Sequence, residues 1–219
     1  MTTPTPPSRR AARGNQGPYQ RGNQREVAIL DSLERLLETT PLATIGVDDI
    51  AKGAGISRSA LYFYFRSRSE AFVALLHRTL TELSTPPQEL LSSVPGRPAK
   101  EEITGLLRHV LRSWQEHGAV LRAAVESADE PDIDLVWRQA MQIYIVFLSE
   151  WITRHRTNET VTNTGHDPQD LAAALTWMVE RNNYQRFRSG PPTPAEMERH
   201  VDTLTTIIVG STGIADQQE

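Results

Sequence analysis

Between Val47 and Tyr64 the sequence reads Val-Asp-Asp-Ile-Ala-Lys-Gly-Ala-Gly-Ile-Ser-Arg-Ser-Ala-Leu-Tyr-Phe-Tyr. Arg58, Ser59, Tyr62 and Tyr64 are a poor set for burial and a good one for reading nucleic acid. A guanidinium can bond guanine O6 and N7 together, and a serine hydroxyl can bond a base edge or a phosphate oxygen. Two short helices, 47–53 and 57–64, must carry these groups. Ile50, Ala54, Ile56 and Leu61 supply the apolar contacts that lock the pair, and Ala51 is small enough to let the second helix approach closely. Gly55 lies where the chain reverses, and glycine takes a left-handed backbone there without strain. Ser57 can cap the second helix and leave N–H groups near its start for phosphate oxygens. The pattern predicts a helix-turn-helix whose second helix enters a major groove. The competing reading, an αα-hairpin packed inside a bundle, has the polar face against it.

The rest of the chain reads as helices around this pair. Residues 1 to about 21 are rich in Pro, Thr, Gly, Asn and Arg without hydrophobic period, and are expected to form a mobile arm. From Asn23, Val27, Leu30, Leu33, Leu36 and Leu37 recur at helical steps, and Pro41 follows. Ser67-Arg68-Ser69-Glu70 has capping-box spacing and opens a helix towards Ser84. After an interruption at Pro86-Pro87 and at 95–98, helical patterns resume over 98–117, 119–128 and 131–157. A polar loop is expected over 157–167. Asp167-Pro168 then caps a helix to about Ser189, and Thr193-Pro194-Ala195-Glu196 caps one to about Val209. Residues 210–213 read as a fraying tail. No segment alternates with period two, so the expectation is an all-α chain of about nine helices. They divide into an arm (1–21), a reading head (22–66) and a larger domain (67–219).

Charge follows the same division. The 219 residues carry a net charge of −4, which taken whole argues against a nucleic-acid partner. Yet residues 1–66 hold nine Arg or Lys against six Asp or Glu, a balance of +3, and the remainder holds 14 against 21, a balance of −7. Arg9, Arg10, Arg13, Arg21 and Arg25 stand in the first 25 residues with no acid among them. A basic front on an acidic body suits a DNA-reading head carried by a non-DNA domain.

Other chemistries find little support. The absence of cysteine excludes disulfides, thiolate metal sites and cysteine nucleophiles. The six histidines show no i, i+3 or i, i+4 pairing, and four of them, with no role suggested by spacing, are expected at the surface. There is no Glu-x-x-His pair, P-loop, dinucleotide-binding glycine motif or Gly-x-Ser-x-Gly elbow. No catalytic residue, metal site or cofactor is expected. No apolar run approaches the length of a membrane span, and the start of the chain lacks a signal peptide's apolar core. The expected compartment is the cytoplasm.

Asp48-Asp49-Ile50-Ala51, Ala54-Gly55-Ile56-Ser57, Leu61-Tyr62-Phe63-Tyr64-Phe65 and Ser67-Arg68-Ser69-Glu70-Ala71 together resemble the DNA-binding signature of the TetR family of bacterial repressors. The resemblance implies a three-helix head, a connecting fourth helix and a larger helical domain for ligand binding and dimerisation. It implies that Arg58, Ser59, Ala60 and Phe63 face bases, and that Thr44, Tyr62, Tyr64 and Arg68 meet phosphates. Two positions depart from the pattern. Gly46 stands where the family often has a Ser or Thr cap, and Arg66-Ser67-Arg68 stands where a lysine is common.

In the larger domain, Leu171-Ala172-Ala173-Ala174-Leu175 and Glu180-Arg181 with their flanking helices resemble, more weakly, a mycobacterial branch of that family whose lipophilic ligands occupy a long aromatic tunnel. That likeness implies a ligand site lined by Ile103, Val110, Trp114, Trp137, Met141, Tyr144, Phe147, Thr176, Val179, Asn183, Tyr184 and Ile207. Ile103, Val110 and Ile207 are smaller than the branch's usual residues, implying a different ligand. Read from spacing alone, Trp137, Met141, Tyr144 and Leu148 share one helix face and fit a plain core equally well. By resemblance the last two helices form the dimer interface, with Leu204, Ile207, Ile208 and the 171–175 stretch as its apolar surface. Three functions follow. The first is a homodimeric repressor of double-stranded operator DNA, released by a small lipophilic effector. The others are a DNA-binding regulator without an effector, and a helical-bundle enzyme or carrier whose head only packs.

Overall fold

The computed structural model describes residues 18–83, 97–158 and 165–214, and among these every regular element is helical. Most of the arm, the Pro86-Pro87 interruption and most of the loop expected after 157 lie outside the described residues. Eight α-helices follow in order: α1 (Pro18–Leu37), α2 (Val47–Gly53), α3 (Arg58–Tyr64), α4 (Arg68–Leu83), α5 (Ala99–Glu126), α6 (Pro131–Asn158), α7 (Pro168–Phe187) and α8 (Pro194–Thr212). A short 3-10 turn, Leu42–Thr44, follows Pro41.

Helix α1 begins at Pro18, ahead of the expected Asn23, so the last residues assigned to the arm are helical. A proline's fixed φ suits a first turn. Its inner face buries Ile29, Leu30, Leu33 and Leu37, whereas Val27, the first residue of the apolar repeat, is 44% exposed. Ser32 sits on that inner face and its hydroxyl donates to the Ile50 carbonyl at 2.9 Å. This bond draws α2 so close that a Cβ at Gly53 would lie 2.2 Å from Ser32 Oγ. Gly53 is therefore fixed by close helix approach. Ile50, Ala51, Leu61, Phe65 and Phe72 complete the apolar interior of these helices.

Helix α4 links the N-terminal helices to the rest of the bundle, packing on α1, α5 and α6. Arg78 of α4 donates to Asp31 and to Glu34 of α1, each at 2.7 Å. The expected helices at 98–117 and 119–128 form one element, α5, bent where His117 leaves helical geometry (φ −123°, ψ 21°). His117 stands between Glu34 of α1 at 3.5 Å and Glu82 of α4 at 3.7 Å. The bend thus lies where the N-terminal helices touch the larger bundle.

The two later caps form as expected. The Asp167 carboxylate accepts from the Gln169 and Asp170 N–H groups. Thr193 and Glu196 make a reciprocal capping box. Residues 210–212 do not fray: α8 runs to Thr212, and Gly213 closes it at φ 71°. The Arg156 guanidinium donates to the Thr212 carbonyl at 3.1 Å, and Ile214 is buried, which anchors this end. The histidines also depart from the surface expectation. His77 and His166 are exposed, but His200 is buried and His109, His117 and His155 are partly so. His155 meets the Glu102 carboxylate at 2.9 Å and packs at a tilt against the Trp151 ring. Nothing in the spacing of histidines along separate helices could show these partners.

Candidate nucleic-acid interface and ligand cavity

The turn between α2 and α3 is built as its sequence implies. Gly55 adopts φ +68°, the Ile56 N–H donates to the Ala51 carbonyl at 3.0 Å, and the Ser57 hydroxyl accepts from the Ala60 N–H at 3.2 Å. Gly46 lacks a capping side chain, but its own N–H donates to the Asp49 carboxylate at 3.0 Å. The missing cap is thereby offset at one of the donors that α2 leaves open.

Helix α3 turns Arg58, Ser59, Tyr62 and Phe63 to solvent. The Arg58 guanidinium donates to Asp48 at 2.7 Å and to the Tyr62 hydroxyl at 3.2 Å, and stands 5.6 Å from the Tyr62 ring centroid. The Tyr62 hydroxyl, and after it the Asp48 carboxylate, raise the guanidinium's pKa above its ordinary value. Asp48 had no sequence signal as a partner of Arg58, because the two lie on different helices. Phe63 is 85% exposed, with its ring edge-on to Tyr64 at 5.4 Å. An aromatic ring held in water on a helix of polar side chains has the character of a surface that awaits a partner, and thymine methyl groups are such apolar targets.

The other expected contacts divide. Thr44 is exposed at the end of the 3-10 turn, its hydroxyl donating to the Pro41 carbonyl at 2.9 Å. Ala60 and Tyr64 are half-buried. Arg68 is engaged within the protein: it donates to the Ala43 carbonyl at 2.8 Å and the Ile45 carbonyl at 3.4 Å, and meets Glu130 at 3.5 Å. Ser69 also bonds Glu130. Arg68 therefore ties the 3-10 turn to the loop before α6 rather than standing free for a phosphate.

A second feature lies in the larger bundle. A cavity of about 80 Å³ lies between α4, α5, α6, α7 and α8. Of the expected lining, Ile103, Val110, Trp114, Trp137, Met141, Tyr144, Thr176, Val179 and Asn183 all face it. Phe147, Tyr184 and Ile207 do not line it. Leu148 and Ile208 take the places of Phe147 and Ile207, one residue on in each helix. One residue turns a helix by about 100°, so resemblance missed the face of α8 at Ile207 and erred on α6 only at Phe147, since Trp137, Met141, Tyr144 and Leu148 share the inward face that their spacing marks. Tyr184 instead donates its hydroxyl to Glu126 at 3.1 Å, under the Arg181 guanidinium. Leu80 and Leu83 of α4 were missed as wall residues; their apolar spacing along that helix was the available signal.

The walls are mainly hydrocarbon and aromatic, as small-ligand sites are, with polar groups concentrated on α7. Burial pushes the Glu180 carboxyl above its usual range, against the opposing pull of Arg181 and a Trp137 hydrogen bond. Burial likewise raises the Tyr144 phenol. Glu180 binds protons more readily in the fold than in the unfolded chain, so its contribution to stability falls as pH rises from the ordinary carboxylate range. Glu180→Gln, which keeps an acceptor for Trp137 but has no charge to bury, is expected to raise the thermal midpoint at pH 7–8 and to flatten its decline with pH. Scanning calorimetry at pH 5 and pH 8 checks this, and a Gln variant less stable than the parent at pH 8 contradicts it.

Among the described residues no cluster of His, Asp and Glu could hold a metal ion, and no helix is long and apolar enough to cross a membrane.

Two family models match the chain: "Bacterial regulatory proteins, tetR family" over residues 29–75, and "Transcriptional regulator EthR, C-terminal domain" over residues 103–212. The HTH-type transcriptional regulator EthR of Mycobacterium tuberculosis (strain ATCC 25618 / H37Rv) is 35% identical over 214 residues, 96% of this chain and 97% of that protein. EthR of Mycolicibacterium smegmatis is 34% identical over 95% of this chain and 93% of its own length. A putative TetR-family transcriptional regulator from Rhodococcus sp. superposes with a TM-score of 0.69 at 17% identity, over 84% of this chain and 98% of that one, a likeness of fold.

Proposed function

The chain belongs to the TetR family of DNA-binding transcriptional regulators, with a C-terminal domain of the EthR type, and on that premise we propose that it is a homodimeric repressor whose operator affinity is lowered by a small lipophilic effector. Its relatives are regulators, not enzymes, and the reaction-bearing motifs that an enzyme would need are absent from the sequence.

The observation that carries this reading is the shared use of α4. One part of that helix lines the apolar cavity through Leu80 and Leu83, and Arg78 grips α1 through Asp31 and Glu34. A ligand that holds Leu80 and Leu83 in one position acts directly on the element that orients α2 and α3. The effect requires unequal affinity for the two orientations, since a ligand that binds both equally shifts nothing. The boundary between head and effector domain falls near Ser67, just before α4.

Dimerisation is assigned to α7 and α8. Ala172, Leu175, Leu204 and Ile208 face the protein's own interior, so the pairing surface is what remains outside: Ala174, Trp177 and Ile207. A two-fold pair would present two α3 helices to successive major-groove faces, with half-sites about 34–36 Å apart or a multiple of that. Arg58, Ser59 and Phe63 read base edges, and Thr44, Tyr62 and Tyr64 position the head on the backbone. A regulator of DNA works in the cytoplasm, where the absence of cysteine carries no penalty.

The test is a titration of the full-length protein against DNA from its own upstream intergenic region, in low and physiological salt. Saturable binding by a dimer, retained over scrambled DNA at physiological salt, is the expected result. Absence of selective binding to any genomic fragment overturns the reading.

A further inference from the structure

Both ring nitrogens of His117 face carboxylates. Nδ1 stands 3.5 Å from Glu34 of α1, and Nε2 stands 3.7 Å from Glu82 of α4. Nδ1 is buried and makes no hydrogen bond. A neutral imidazole has one N–H and one bare nitrogen, while an ionised carboxylate only accepts. In either tautomer, one nitrogen therefore turns a lone pair towards an acceptor. Only the imidazolium, with a proton on each nitrogen, offers a donor to both carboxylates at once. The next charges out are Arg78 of α4 with Glu34 and Asp31 of α1, each pair at 2.7 Å. Helices α6, α7 and α8 also pack on α5, but among the described residues they bring no acidic group within ion-pair distance of the ring. His117 marks the bend of α5, between Trp114 and Leu121, which both line the cavity. At about 80 Å³ that cavity is far below the roughly 300–1,000 Å³ of small-ligand sites, so it must widen to admit an effector. Any widening that displaces α5 acts on the contacts of His117.

We infer that His117 is a positioning residue for DNA reading: a proton-operated latch that, once protonated, fastens α5 to α1 and α4 and holds the head in the arrangement that binds the operator. The fastening follows from the ring and its two carboxylates. Its consequence for the operator rests on the proposed repressor, whose DNA-binding form is the one with the contracted cavity. Histidine is the side chain whose charge ordinarily changes between pH 5 and 8. Loss of the proton removes both attractions, sets a lone pair against a carboxylate and leaves the head freer to turn. Arg78 stays charged throughout and keeps its grip on Asp31 and Glu34, so the latch adjusts the head without detaching it. Acid therefore favours operator binding and opposes release, and an alkaline medium eases release.

The test is a double-mutant cycle on the full-length protein, with His117→Gln, Glu82→Gln and the pair, read by urea unfolding at pH 6 and pH 8.5. Glu82 suits the cycle because its side chain is 57% exposed and tolerates replacement. A coupling of about threefold in the unfolding constant is expected at pH 6, and none at pH 8.5. If His117→Gln fails to fold, Glu82→Gln alone answers, by losing stability against the parent at pH 6 and not at pH 8.5. Fluorescence anisotropy on DNA from the upstream intergenic region, at the same two pH values, reads the consequence. The parent is expected to gain about threefold more affinity than His117→Gln on passing from pH 8.5 to pH 6. Coupling that is absent at pH 6, or equal at both pH values, overturns the latch. Coupling as expected, with the same gain in affinity for parent and variant, overturns the role of His117 in positioning the head. Absence of selective DNA binding by the parent overturns the repressor reading and with it that role, while the cycle still decides the latch.

Discussion

Replacing Arg58 with alanine is expected to weaken binding to the operator by roughly ten- to a hundredfold while leaving the helical circular dichroism unchanged. The side chain lies on the exposed face of α3, so its loss does not disturb the interior. Its importance lies in preparation. Asp48 at 2.7 Å and the Tyr62 hydroxyl at 3.2 Å already hold the guanidinium in one place above α3. A planar fork held in advance loses less freedom on meeting guanine than a free side chain does. Fluorescence anisotropy on the operator and on unrelated DNA, at two salt concentrations, separates the cases. A base contact lowers the ratio of specific to non-specific affinity. A phosphate contact lowers both alike and reduces the salt slope by about one, which would move Arg58 from reading bases to positioning the head. Unchanged affinity would remove it from the interface.

Trp151→Ala should cost about 3–5 kcal/mol of stability, a large share of the roughly 5–15 kcal/mol that holds a domain folded. The indole is 1% exposed, its Nε1–H donates to Glu102 at 2.7 Å, and its ring packs against the tilted His155 ring with centroids 4.6 Å apart. The truncation opens a space between α5 and α6 and takes a donor from a carboxylate with little access to water. Trp151→Phe separates the two effects, because it keeps most of the packing and loses about 1–2 kcal/mol through the hydrogen bond. Urea unfolding of both variants gives the comparison. An alanine variant as stable as the phenylalanine one would mean that the site collapses without lasting loss.

Some parts of the molecule are legible residue by residue. Ser57, Asp167 and Thr193 announce helix starts because a cap acts on backbone N–H groups two or three residues away. Gly55 announces the turn because few other residues accept φ +68°. The solvent face of α3 is legible for a related reason: Arg58, Ser59 and Tyr62 are polar where a packed hairpin would need apolar groups. Gly53 was not, since its cause is Ser32 on another helix. Arg68 was assigned to phosphate by resemblance, while the Ala43 carbonyl and Glu130 that hold it lie 25 and 62 residues away in the chain.

The cavity marks the boundary most clearly. Trp137, Met141 and Tyr144 repeat at helical spacing, and that alone left core and ligand site equally open. Resemblance then placed the lining on the right helices but chose Phe147 and Ile207, where packing turned Leu148 and Ile208 inward. By itself, the sequence determined where the helices start, which short helix offers a polar face to DNA, and that the basic charge lies at the front. These depend on contacts within a turn or two of each residue. Only the tertiary structure decided the rotation of α8 about its axis, the carboxylates that meet His117 and His155, and the unpaired amide of Asn183. Each is set by side chains on other helices, and a helix turns a neighbouring residue about 100° away for every step along its chain.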